Sequence, residues 1–400
     1  MLRRALTVAV LGCVVVAGAC APPESDPRSA PVTTTTIPAG YPATPVGDDQ
    51  IRLNQIQLVG THNSYHIAPA PQVEALLEQA AQSFPQIAGG LGDPRSLRYT
   101  HASIPQQLAR GIRTFEFDLW ADPDGGRFAQ PWLAKTFGYT DPLFPSGMDQ
   151  PGFKVFHIVD LDWRTECATL DACLGAIRTW SDANPGHLPI IVNLELKSDP
   201  LPSPIPGTQV LPFDGPRLDA LDAALRAALG DRLITPDDVR GSAPDLRTAV
   251  TTTGWPTLAD SRGKVLFFMD NADLRTPYLA GHPSLAERVM FTSSGEGQPD
   301  GAVLKENDPG DGTRIAQLVQ QGYLVRTRAD ADLGPVLTGT NDRAAALASG
   351  AQVVHTDFPV GEAASNGYVV DLGLPVQGRC NPVNTTSATC AQAAVVEPQH

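Results

Sequence analysis

From Ile51 onward, short apolar runs alternate with stretches whose apolar residues recur at helical spacing, the pattern of repeated β-α units. Eight runs read as strands: 57–60, 114–119, 154–159, 190–196, 264–269, 289–292, 323–327 and 352–355. The helices between them carry start and stop signals. Ser103-Ile104-Pro105-Gln106 is a capping box with proline in the first turn, followed by Leu108 and Ile112. A helix over 170–180 is bounded by Asn184-Pro185-Gly186, and Leu218, Leu221, Leu225 and Leu229 keep helical spacing up to Gly230. Helices over 313–321 and 341–349 end at Gly322 and Gly350. Eight strands with intervening helices predict the α/β class, with a (β/α)8 barrel over 48–375 as one catalytic domain. The stretches 64–100 and 121–153 read as long loops or lids on the catalytic face. No Gly-x-Gly-x-x-Gly follows the first strand, so a dinucleotide fold lacks support.

The pattern ahead of the domain is different. Residues 1–19 read as a signal peptide, with Arg3 and Arg4 before an apolar run over 5–18 that is too short to span a bilayer. Ala17-Gly18-Ala19-Cys20 admits two readings: cleavage after Ala19 and free secretion, or a lipobox whose lipidated Cys20 anchors the chain on the outer face of the cell membrane. The second is preferred because the cysteine directly follows the small residues. Residues 20–47 are a Pro/Thr-rich tether, too polar to pack. Setting aside Cys13 and Cys20, the cysteines form two local pairs, and an oxidising compartment predicts disulfides Cys167–Cys173 and Cys380–Cys390. Each would stabilise by roughly 2–3 kcal/mol; the second lies in a C-terminal tail over 376–400. A formal net charge of −14 argues against nucleic acid as a partner and against electrostatic docking on anionic lipid. A monomer is expected.

The chemistry sits where the strands end: His62-Asn63, Glu116-x-Asp118, His157 and Glu195. Alternate residues of a strand share a face, so Glu116 and Asp118 point one way, as do Asn193, Glu195 and Lys197. Charged side chains aimed into a barrel pair with one another or bind metal. One such pair reads equally well as a structural ion pair. Three carboxylates and an amide oxygen on strands one, two and four favour a metal, and hard oxygen donors suit calcium. His62 and His157 beside it suggest proton transfer at a phosphate ester, although imidazoles would also serve zinc or manganese. Lys197, Arg326 and Arg328 are weaker candidates for binding a phosphate, the arginines against salt bridges to Asp330 or Asp357. His355 and Asp357 read as supporting residues, Tyr65, His66 and His101 as front-loop residues near substrate, and Asp160 and Asp162 as groups that orient His157. Trp120 and Trp132 are the aromatic candidates for an interfacial lid, against a buried role that reads at least as well.

The run Leu53-Asn54-Gln55-Ile56-Gln57-Leu58-Val59-Gly60-Thr61-His62-Asn63-Ser64-Tyr65-His66 resembles the opening of the bacterial calcium-dependent phosphoinositide phospholipase C family. The likeness continues through Gly111-Ile112-Arg113-Thr114-Phe115-Glu116-Phe117-Asp118, Val155-Phe156-His157, Leu194-Glu195-Leu196-Lys197 and His355-Thr356-Asp357-Phe358-Pro359. It implies a barrel in which Asn63, Glu116, Asp118 and Glu195 bind Ca2+ and His62 and His157 are the catalytic imidazoles. It further implies cleavage of phosphatidylinositol to diacylglycerol and inositol phosphate through a cyclic phosphodiester, with phospholipid as the partner. Glycerophosphodiester phosphodiesterases share the Glu-x-Asp but usually carry His-Arg at strand one, so Asn63 weighs against them. A non-catalytic ligand-binding surface lipoprotein is the third reading; it has no need of two histidines.

Overall fold

The computed structural model describes residues 47–83, 94–203, 205, 207–331, 333–373 and 377–397. The signal peptide, the Cys20 lipidation site and the tether up to residue 46 lie outside the described residues.

The strands are β1 Ile56–Thr61, β2 Thr114–Asp122, β3 Gly152–Val155, β4 Ile190–Lys197, β5 Leu233–Ile234, β6 Val265–Met269, β7 Phe291–Thr292, β8 Val303–Lys305, β9 Leu324–Arg328, β10 Val353–Thr356 and β11 Arg379–Cys380. Parallel ladders join β2 to β4, β4 to β6 and β6 to β7. Others join β8 to β9, β9 to β10 and β10 to β1. A parallel bridge from Ser293 to Val303 links β7 to β8. The circuit closes between β1 and β2 by packing: Gly60 lies so close to Thr114 that a Cβ would overlap its carbonyl oxygen. Just beyond, Ser64 N donates to Glu116 O at 2.9 Å. Eight parallel strands thus follow one another in chain order, with helices such as Leu170–Ala183 and Gly215–Leu229 between them. Their inner and outer faces are buried, as for a parallel sheet covered on both sides.

Three expectations need correction. The predicted third strand is not a barrel stave: β3 pairs antiparallel with the outer half of β2, Leu119 opposite Val155 through Asp122 opposite Gly152. The missing stave is β8, three residues long and too short to show a period in sequence. The stretches 64–100 and 121–153 are not plain loops, since they carry helices Pro71–Ser83, Pro94–Leu97 and Trp132–Phe137. With the strand overshoot they enclose a second apolar cluster that includes Trp120, Phe128, Phe156, Val159 and Trp163. Of its two readings Trp120 takes the buried one: it stacks on Phe156 at 5.3 Å between ring centroids and donates to the Phe156 carbonyl. Finally, residues 377–397 pack onto the barrel. β11 pairs antiparallel with β1, and buried Glu397 accepts from Arg113 Nε at 2.6 Å. Disulfides join Cys167 to Cys173 and Cys380 to Cys390. No helix among the described residues is long and apolar enough to cross a membrane.

Candidate active site

The parallel register of β2 and β4 sets Asp118 opposite Glu195 and Glu116 opposite Asn193. Strand alternation then turns the three acids to one face, and their carboxylate oxygens lie within 4.8 Å of one another. The turn after β1 carries Asn63 at φ 46°, a left-handed conformation that asparagine tolerates better than most residues. Ser64 pins this turn to β2, its Oγ accepting from Glu116 N at 2.8 Å. Asn63 Nδ2 donates to the Tyr99 hydroxyl at 3.0 Å, and this leaves Asn63 Oδ1 buried with no hydrogen-bond partner. Both oxygens of fully buried Asp118 also lack a hydrogen bond, although Lys197 Nζ stands 3.1 Å from Oδ2. Buried acceptors without donors, grouped with two further carboxylates, fit an oxygen-seeking divalent cation such as calcium.

The electrostatics differ from one acid to the next. Burial works against ionisation of Glu116, but Arg326, His62 and His355 together hold its carboxyl well below the usual range. His355 Nδ1 is 2.9 Å from Glu116 Oε2, and the Arg326 guanidinium bonds the same oxygen. Asp118 goes the other way. Burial, reinforced by Glu195 and Glu116, pushes its carboxyl well up despite Lys197. A carboxyl so disfavoured as a bare anion gains most from a cation beside it.

Each candidate imidazole is backed by a carboxylate. His62 Nδ1 lies 2.8 Å from Asp357 Oδ1, and its Nε2 is 3.8 Å from Glu116 Oε1. Asp357 accepts, so Nδ1 donates and Nε2 is the nitrogen turned toward the acids. Despite burial, His62 and Arg328 keep Asp357 ionised, with Arg328 Nη2 3.2 Å from Oδ2. His157 Nδ1 is 2.9 Å from Asp162 Oδ2, which also receives His66 Nε2 at 2.8 Å. Burial draws His157 below its ordinary pKa and Asp162 opposes this. His157 itself stands two residues beyond β3, not within a strand.

The remaining candidates land as follows. Tyr65, His66 and His101 are fully buried, so none lies on an open front loop. His101 bridges Glu362, at 2.6 Å from Nδ1, and the His62 carbonyl, at 2.9 Å from Nε2, and so holds the His62 backbone. Asp162 reaches His157, whereas Asp160 accepts from Trp132 N at 2.7 Å and from Thr208. Arg326 is 1% exposed and engaged by Glu116 and Asn307, and Arg328 is engaged by Asp357. Lys197 Nζ also contacts Glu195 Oε1 at 2.8 Å. Tyr99 and Glu362 escaped sequence reasoning. Both come from segments with no periodic signal and reach the site only through the fold.

A family model described as phosphoinositide phospholipase C, Ca2+-dependent, matches residues 51–382. No curated protein sequence matches the chain. Among solved structures, a calcium-dependent phosphoinositol-specific phospholipase C from a Pseudomonas species is 18% identical, covering 82% of this chain and 97% of its own, with a TM-score of 0.47. A Ca2+-dependent phosphatidylinositol-specific phospholipase C from Streptomyces antibioticus is 18% identical, covering 77% and 95%, with a TM-score of 0.48.

Proposed function

Because the chain belongs to the calcium-dependent phosphoinositide phospholipase C family, we propose that it cleaves the glycerol–phosphate ester of phosphatidylinositol. Diacylglycerol leaves, and an inositol phosphate forms through a cyclic phosphodiester. The observation that carries this reading is the grouping of Glu116, Asp118 and Glu195 within 4.8 Å, beside His62 backed by Asp357 at 2.8 Å. Asn63, Glu116, Asp118 and Glu195 would hold Ca2+, which when bound supplies charge neutralisation at the phosphate and acidifies the inositol 2-hydroxyl. Glu116 or Glu195 accepts the proton of that hydroxyl as its oxygen attacks phosphorus. His62 donates from Nε2 to the phosphoryl oxygens, and His157 protonates the glycerol oxygen as the P–O bond breaks. A single chain carries the complete set. The N-terminal sequence supports export, with Cys20 as a lipid anchor on the outer face of the membrane or with free secretion.

The test is hydrolysis of phosphatidylinositol against glycerophosphoinositol, with calcium and with chelator. Preference for the lipid and loss of turnover in chelator are expected. Faster cleavage of glycerophosphoinositol would assign the chain to glycerophosphodiesters instead. His62→Ala and His157→Ala should each cost at least about 10³-fold in kcat while calcium affinity stays near that of the unmodified protein. Unimpaired turnover in either variant removes that residue from the mechanism.

A further inference from the structure

We propose that Lys197 is a built-in counter-cation of the calcium site, holding Asp118 and Glu195 together in the ion-free protein and being displaced when calcium binds. The inference rests on the calcium reading above and adds a residue that sets the affinity. Lys197 lies on the same face of β4 as Glu195, two residues on, and its Nζ stands between the acids at 2.8 Å from Glu195 Oε1 and 3.1 Å from Asp118 Oδ2. Among the described residues it is the only cation paired with either. Three carboxylates this close repel one another, and a positive charge between two of them relieves that repulsion.

Lys197 and Arg326, the lysine and arginine paired with the three acids, are built differently. Arg326 is 1% exposed and fixed on Glu116 by a planar guanidinium that also bonds Asn307. Lys197 is a point charge on a flexible stem whose side chain is 21% exposed. Calcium takes six to eight oxygens at about 2.3–2.6 Å, and one oxygen each of Asp118 and Glu195 already faces the ammonium. A divalent ion and an ammonium cannot share them without strong repulsion, and of the two cations only the lysine has a route outward. Calcium binding therefore includes breaking the Lys197 pairs.

The experiment is calorimetric titration of calcium into the full chain, comparing the unmodified protein with Lys197→Met and Lys197→Arg. The methionine variant should bind calcium at least about tenfold more tightly, because no ammonium has to be displaced. In chelator it should melt at a lower temperature than the unmodified chain, and it should gain more in Tm on saturation. Lys197→Arg, which keeps the charge, should bind no more tightly than the unmodified protein. If Lys197→Met does not stay folded without calcium, its affinity is read by competition from the loaded protein with a chelator of known Kd. Unchanged or weaker calcium binding by the methionine variant overturns the proposal. If the unmodified chain shows no saturable calcium binding, the calcium reading of the site falls, and the inference with it.

Discussion

Asp162 accepts from two imidazoles at one oxygen, and this makes it the residue on which His157 depends. The His66 ring is locked from both sides, by Asp162 at Nε2 and by the Tyr99 carbonyl 3.0 Å from Nδ1. Asp162 is thus held in place and in turn fixes the ring plane of His157. Burial disfavours its charge, yet His66 and His157 keep its carboxyl well below the usual range. Asp162→Asn preserves size while weakening the acceptor. It should lower kcat by about 10²-fold with little change in calcium affinity, the pattern of a positioning residue. A kcat within twofold of the unmodified enzyme would mean that His157 does not need this partner. Sequence proximity favours Asp160, three residues from His157, over Asp162, five residues away; the chain turns at Asp160, with φ 66°, and it is Asp162 that reaches the ring.

At the scale of elements, adjacent parallel strands bring the acids together, and period-2 alternation is readable from residues 116–118 and 193–197 without any coordinates. The barrel was legible for the same reason: most staves are buried runs of Val, Ile, Leu and Phe bounded by turns. What was not legible is instructive. β8 spans three residues and β3 forms only by folding back on an overlong β2, so neither length nor periodicity distinguishes stave from hairpin. Likewise, Tyr99 and Glu362 are recruited through loops anchored in the main core, beside Phe358, Ala364 and Tyr368, with no periodic pattern of their own. The seam between β1 and β2 makes a prediction of its own. Gly60 sits against the Thr114 carbonyl and hydroxyl, so its role is close approach rather than a turn. Gly60→Ala should push β1 from β2, lowering stability by about 3 kcal/mol or more and misplacing His62 and Asn63. Chemical denaturation checks the first effect and calcium titration the second. A variant as stable as the unmodified chain would show that the seam is compliant.

Across the whole molecule, function and stability divide between the two ends of the barrel, as they do in α/β barrels generally. The acids and imidazoles gather where the strands end, whereas the strand beginnings are tied by charge and hydrogen bonds that touch no candidate site residue. Arg113 and Glu397 pair there, and Arg262 Nε meets Asp48 at 2.6 Å. His187 lies just before β4, buried, with Nε2 2.7 Å from Ser181 Oγ and Nδ1 2.5 Å from the Leu188 carbonyl. Burial, with Arg113 and Arg232 nearby, draws its pKa down to about 4. A histidine that titrates near 6.5 when unfolded and near 4 when folded binds its proton more tightly in the unfolded chain. Its contribution to stability is therefore complete above pH 6.5 and is lost as pH falls toward 4, by about 2 kcal/mol between pH 7 and pH 5. Acid therefore weakens the base of the barrel through this one imidazole. His187→Gln keeps a hydrogen-bonding side chain without the titration, so its urea midpoint should fall less between pH 7 and pH 5 than that of the unmodified protein. Chelator present throughout separates this effect from any calcium-linked stability. Equal acid sensitivity in the two proteins would place the labile group elsewhere.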